Sequence, residues 1–153
     1  MLVHFEPMKR VLILLVAMAL LYGIGLVREE GISIPGPDSS GHGTSQAIET
    51  AYNNKQSDVQ VKGRGTVMRT LPDDNDGSRH QRFILELDNG QSVLIAHNID
   101  LAPRINGLNR GDTVEFFGEY EWNSKGGVIH WTHDDPNHRH IDGWLKHRGK
   151  IYQ

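Results

Sequence analysis

The sequence predicts an all-β domain: a small antiparallel barrel behind a short docking helix. Three observations point to it. Apolar residues alternate with period two through most of residues 59–152. Gly and Asn punctuate those runs at Asn89-Gly90, Gly111-Asp112, Asn123 to Gly126 and Arg148-Gly149. Residues 11–27, at the other end, are apolar throughout, with no charge and no Pro.

That N-terminal stretch is at the short end of what spans a bilayer and long for a signal-peptide core. No clear small-x-small cleavage site follows it. The expectation is an uncleaved inner-membrane anchor; the alternative is export followed by signal cleavage. Lys9 and Arg10 precede the stretch, which keeps residues 1–10 in the cytoplasm and sends the C-terminal domain to the periplasm. Residues 28–43, rich in Gly, Pro and Ser towards their end, read as a flexible linker. The domain then runs over 44–153. Thr44 or Ser45 is the expected N-cap of a short helix, with Ile48, Ala51, Tyr52 and Lys55 on its docking face.

Five strands follow. The first covers 59–71, with Gly63 and Gly65 allowing a bend or bulge. Residues 72–78 form a loop. Runs at 80–88 and 91–97 flank Asn89-Gly90, read as a two-residue type I′ hairpin. Residues 98–108 break the pattern and carry one short helix capped by Asp100. Runs at 113–122 and 127–133 flank a four-residue turn, and 144–152 form a small terminal hairpin. Three strands, a break and two strands is the order of the OB-fold. The expected architecture is thus a five-stranded OB-like antiparallel barrel; other small β-barrels and rolls are the alternatives, since five strands alone do not fix a topology.

These registers assign faces. A two-residue turn places Asp88 opposite Gln91, Ile84 opposite Ile95 and Arg82 opposite His97. Phe83, Leu85, Leu87, Ser92, Leu94 and Ala96 then face inward. His80, Arg82, Ile84, Glu86, Val93, Ile95 and His97 face outward. In the second pair Tyr120 meets Ile129 and Glu119 meets His130. Val114, Phe116, Tyr120, Trp122, Ile129 and Trp131 point inward. The Glu119 carboxylate is expected to raise the His130 pKa.

The segments His80-Gln81-Arg82-Phe83-Ile84, His97 to Arg104, Glu119-Tyr120-Glu121-Trp122-Asn123, Gly126-Gly127 and His130-Trp131-Thr132-His133 resemble the bacterial family known as domain of unknown function 3465. The resemblance covers residues 57–153. It implies a small exported or anchored domain and supplies no catalytic residues.

Chemistry must therefore be read from the side chains. The chain lacks cysteine, which excludes thiolate zinc sites, iron–sulfur clusters and a Cys nucleophile. From Val61 onward 12 Lys and Arg stand against 13 Asp and Glu, which argues against a general polyanion binder. There is no Gly-x-Ser-x-Gly, no phosphate-cradling Gly loop and no Rossmann unit. The Asp-rich loop 72–78 fails EF-hand spacing.

Two groups of residues remain. His80, Arg82, His97, Arg104, Glu119 and His130 are candidate ligand-binding residues on the outer face, the usual ligand surface of OB barrels. His133, Asp134, Asp135, His138 and His140 are candidate ligands for a divalent metal, zinc or manganese, on the loop after Pro136 ends the last strand. The leading expectation is a membrane-anchored ligand-binding or interaction module for a small molecule, a nucleic acid or a protein. The alternative is a metal-dependent hydrolase, a phosphodiesterase or nuclease, in which Arg79, Arg82 and Arg104 meet an anion.

Overall fold

The computed structural model describes residues 40–153. The anchor at 11–27 and most of the linker lie outside them. Among the described residues no helix is long and apolar enough to cross a membrane.

Within the described residues one helix, α1 (Ser40–Asn53), precedes seven strands: β1 (Val59–Thr70), β2 (His80–Glu86), β3 (Ser92–Asn98), β4 (Thr113–Glu121), β5 (Val128–His130), β6 (Trp144–His147) and β7 (Lys150–Tyr152). The sheet order is β1-β2-β3-β5-β4-β6-β7, and β1 also pairs with β4. That extra pairing closes β1, β2, β3, β5 and β4 into a five-stranded barrel. All its ladders are antiparallel except β3–β5, which is parallel.

Closure depends on the length of β1. Its first part, Val59 to Thr66, pairs with β4, and Thr66 to Thr70 pairs with β2, with a bulge between Val67 and Arg69. Gly65 sits at the changeover, where a Cβ would lie 2.8 Å from the Glu86 carbonyl oxygen. Gly63 lets the helix approach, since a Cβ there would meet Thr44 and the Phe116 ring.

Helix α1 begins at Ser40, so Thr44 and Ser45 lie inside it and do not cap it. Their hydroxyls instead tie the helix to the barrel: Thr44 Oγ1 donates to the Lys62 carbonyl and Ser45 Oγ to the Asp88 carboxylate. Ile48 and Ala51 are buried as expected. Lys55 is exposed and ends the helix in the left-handed region, φ 53°. Gln56 N then donates to Ala51 O, and Lys55 N to Tyr52 O, a Schellman ending with Lys in the usual Gly position.

The β2–β3 hairpin differs from expectation. Leu87 N donates to Gln91 O and Gly90 N to Leu87 O, with Gly90 at φ 80°. The loop is thus three residues, Asp88-Asn89-Gly90, the type I turn with a Gly bulge that competes with type I′. Phe83 now faces Ile95 and Gln81 faces His97. One extra loop residue turns over every side chain of β3. Val93, Ile95 and His97 go inside; Leu94 and Ala96 come to the outer face, half-buried.

The β4–β5 register is the expected one: Tyr120 opposite Ile129 and Glu119 opposite His130. Phe83, Leu85, Val93, Ile95, Val114, Phe116, Tyr120, Ile129 and Leu145 form the core, with Ile48 from α1 closing it. Besides the β3 residues turned outward, two tryptophans expected in the core lie at or beyond its edge. Trp122 is half-buried, its indole N donating to Tyr52 O at 3.0 Å. Trp131 takes φ 49°, so alternation stops there and Thr132 is buried in its stead. The helix expected after Asp100 is a single turn, with Ala102 N donating to Asn98 O. Asp100 N donates to Asn98 Oδ1, so Asn98 caps that turn. The terminal hairpin is formed, with Arg148 and Gly149 both at positive φ.

Candidate functional site on the outer face

His97, expected beside Arg82 on the surface, is fully buried. Its Nε2 lies 3.2 Å from the Pro103 carbonyl oxygen and its Nδ1 2.9 Å from Thr132 Oγ1. A carbonyl only accepts, so these contacts assign the proton to Nε2, and Nδ1 accepts from the Thr132 hydroxyl. Burial lowers its pKa to about 4, against a partial offset from the Pro103 hydrogen bond. His97 is a neutral cross-brace between β3, the end of β5 and the 99–105 segment. Gln81 beside it does similar work: its amide donates to Ile105 O and accepts from Ile105 N, both at 2.9 Å.

The arginines meet aspartates. Arg79 pairs with Asp100 at 2.7 Å, Arg82 with Asp74 at 3.4 Å, and Arg104 with Asp73. Arg82 also donates to Pro72 O. The Asp-rich loop is thus pinned to the barrel through its carboxylates. Arg82 and Arg104 line a hollow of about 170 Å³ beside Gln81 and Ile105.

The 133–140 loop is organised around one carboxylate. Asp135 accepts from the backbone N–H groups of Asn137, Arg139 and His140 at 2.6–2.9 Å. These bonds, that of Asn137 first, hold its pKa at about 2. His133 is buried, its Nδ1 2.7 Å from the Asp134 carbonyl. Asp134 and His138 are exposed. The group among the described residues whose ligand atoms gather closely enough for a metal, within 4.8 Å, is Glu119, Glu121 and His130. The loop residues are not in it.

That group sits on the outer face of the β4–β5 pair. Glu119 and Glu121 are two apart on β4 and share a face; His130 comes from β5, opposite Glu119. His130 Nε2 is 3.5 Å from Glu119 Oε1 and 3.8 Å from Glu121 Oε1, both beyond ordinary hydrogen-bond length. His140 reaches over from the loop, its Nδ1 3.8 Å from Glu119 Oε2. Its ring stacks on Trp131, centroids 3.7 Å apart and planes at 15°. Burial lowers the His130 pKa more than the Glu119 and Glu121 carboxylates raise it. That reverses the direction expected from the pair alone.

Residues 36–153 match the family described as Protein of unknown function (DUF3465). The chain belongs to that family. No curated protein matches it. The family match embraces the whole barrel and α1 of this DUF3465 domain but not residues 1–35.

Beside the Glu–His group of the DUF3465 domain lies a hollow of about 210 Å³, lined by His80, Ala96, Asn98, Leu101, His130, Trp131 and His133. His130 belongs to both. Of the residues expected to bind a ligand, His80, Glu119 and His130 therefore converge here, with His133 and His140 from the expected metal set. Glu121 escaped the sequence reading, although its position two residues after Glu119 on a strand was the signal. Trp131 escaped it too, because period-two alternation placed it inside. The pair of buried His147 with half-buried Asp112, 2.9 Å, was equally missed; its residues lie 35 apart, and only the β4–β6 pairing joins them.

Proposed function

We propose that this chain is an OB-like binding module, anchored in the inner membrane by residues 11–27, with its barrel in the periplasm. The apolar run behind Lys9 and Arg10 supports the anchor. The closed β1-β2-β3-β5-β4 circuit, with β3 and β5 parallel, supports the OB reading. The ligand surface is the outer face centred on His130. The observation that carries this assignment is the sharing of His130 between the 210 Å³ hollow and the Glu119–Glu121 group.

The hollow is smaller than a drug-sized site, which starts at about 300 Å³. It suits a small molecule, or the end group of a larger one. Three imidazoles, the Asn98 amide and the flank of Trp131 fit a flat group with hydrogen-bonding edges. Hydrolysis of phosphodiesters is the weaker reading, because Arg79, Arg82 and Arg104 each already face a carboxylate.

Titration of the isotope-labelled full-length chain in detergent with small planar acids and amides tests the assignment. Amide and indole NMR shifts should concentrate at His80, Asn98, Leu101 and Trp131, and Leu101→Arg should abolish them. Shifts that map elsewhere, or survive Leu101→Arg, reject this face as the ligand site.

A further inference from the structure

We propose that Glu119, Glu121 and His130 bind one divalent cation of the zinc class, with His140, beside Glu119 but outside that close group, moving in as fourth ligand. The argument starts from spacing. With metal–ligand bonds of 2.0–2.2 Å, two donors of a tetrahedral site stand roughly 3.4 Å apart. His130 Nε2 is 3.5 Å from one carboxylate and 3.8 Å from the other, and His140 Nδ1 is 3.8 Å from the far oxygen of Glu119. Hydrogen-bonded pairs would be closer, and unrelated side chains need not converge at all.

The second observation is the state of His130. Its Nε2 is shut off from solvent and has no hydrogen-bond partner. Buried polar nitrogens normally have one. This nitrogen is aimed between two carboxylates, so a cation seated among them would complete it.

The third is charge. Glu119 and Glu121 lie on one face of one strand. Besides His130, their cross-strand neighbours are Gln60 and Val128. Among the described residues only the two imidazoles come within ion-pair reach of these carboxylates. Two adjacent carboxylates without Lys or Arg repel each other, and a divalent ion removes that repulsion.

The surroundings hold the ligands in place. Glu119, Glu121 and His130 stand on paired strands. His140 is held by its stack on Trp131 and by its backbone N–H on Asp135, 2.8 Å. Two imidazoles and two carboxylates suit a borderline ion more than calcium or magnesium, which prefer all-oxygen shells. The inference shares His130 with the proposed ligand surface but does not need a ligand in the hollow.

Calorimetric titration of the metal-stripped full-length chain with zinc chloride alone provides the test. One equivalent should bind. Glu121→Gln and His130→Gln, both close in size to the native residues, should each weaken binding by about 100-fold or more, at the upper end of what lost metal-site interactions cost. Near-UV circular dichroism confirms that each variant is folded. His138→Ala and Asp134→Asn, on the exposed loop, should stay within about twofold of wild type. Absence of stoichiometric zinc overturns the proposal. So does binding that Glu121→Gln leaves unchanged, or that His138→Ala abolishes. Leu101→Arg separates the two readings: it should remove ligand-induced shifts in the hollow and leave zinc binding intact.

Discussion

Acid should weaken this fold through His97 before it reaches the carboxylates. The side chain is neutral and buried, with its proton on Nε2 directed at the Pro103 carbonyl. In the unfolded chain it titrates at about 6.5, whereas in the barrel burial lowers it to about 4. Between those values the unfolded state holds a proton that the folded state refuses, so stability falls as pH falls. Full stability is present above about pH 6.5. Each pH unit below it removes about 1.4 kcal/mol, or about 2–3 kcal/mol in all by pH 4.5. His130, whose pKa burial also lowers, pulls in the same direction. The Asp135 carboxylate, held at about 2, loses its contribution only below about pH 4, as pH falls from the ordinary Asp range towards that value. The measurement is denaturant unfolding of wild type and His97→Gln from pH 7 to 4.5. His97→Gln should be destabilised most at pH 7, and the gap should narrow by about 2–3 kcal/mol at pH 4.5. A direct NMR titration of the His97 ring supports the same test in the native protein. A gap constant across that range, or a ring titrating near 6.5, would refute the reasoning.

Other perturbations test other parts. Phe83→Ala, at a fully buried position, should cost about 3–5 kcal/mol in urea or thermal unfolding; a loss under about 1 kcal/mol removes Phe83 from the core. Gly127→Ala combines φ 95° with a Cβ 2.2 Å from the Tyr120 ring, so it should cost at least about 2 kcal/mol, read by the same unfolding curves. Gln81→Leu leaves the Ile105 N–H and C=O without their partner in a buried site; a loss of about 2–4 kcal/mol is expected, with faster amide exchange at Ile105. Reporter fusions at the C-terminus should be active only in the periplasm, and carbonate washing should leave the chain in the membrane fraction. A soluble cytoplasmic product would end the anchor proposal.

The strand order, the β4–β5 register and the terminal hairpin were legible because each rests on local signals. Alternation along 113–122 and a four-residue Asn-to-Gly turn fix which residues of β4 and β5 meet. The β2–β3 register was not legible in the same way. Asn89-Gly90 serves both a two-residue and a three-residue loop, and the choice depends on Asp88 leaving the ladder to bring Leu87 opposite Gln91. The apolar pattern could not decide, because β3 reads Val93-Leu94-Ile95-Ala96 and offers apolar residues to both faces. That ambiguity placed His97 outside. The Glu119–His130 pairing could be read from register, whereas the arrival of His140 could not. It depends on Trp131 leaving the strand conformation and on Asp135 folding the loop back. The aspartate partners of Arg79, Arg82 and Arg104 lie in loops, where no periodicity exists to announce them.

The β1–β4 pairing bears on how the domain keeps company with its own copies. A sheet that stops leaves backbone N–H and C=O groups open to a neighbour, and exposed rims of this kind are where chains associate out of turn. Among the described strands, closing the barrel gives each of β1 to β5 a neighbour on either side, and β6 lies between β4 and β7. The described strand with a neighbour on one side only is β7, which is three residues long and starts with Lys150. A short rim with a cation at one end is a poor template for a foreign strand. Among the described residues, a fold with no disulfide to lock its topology thus confines its one strand edge without any partner to three residues.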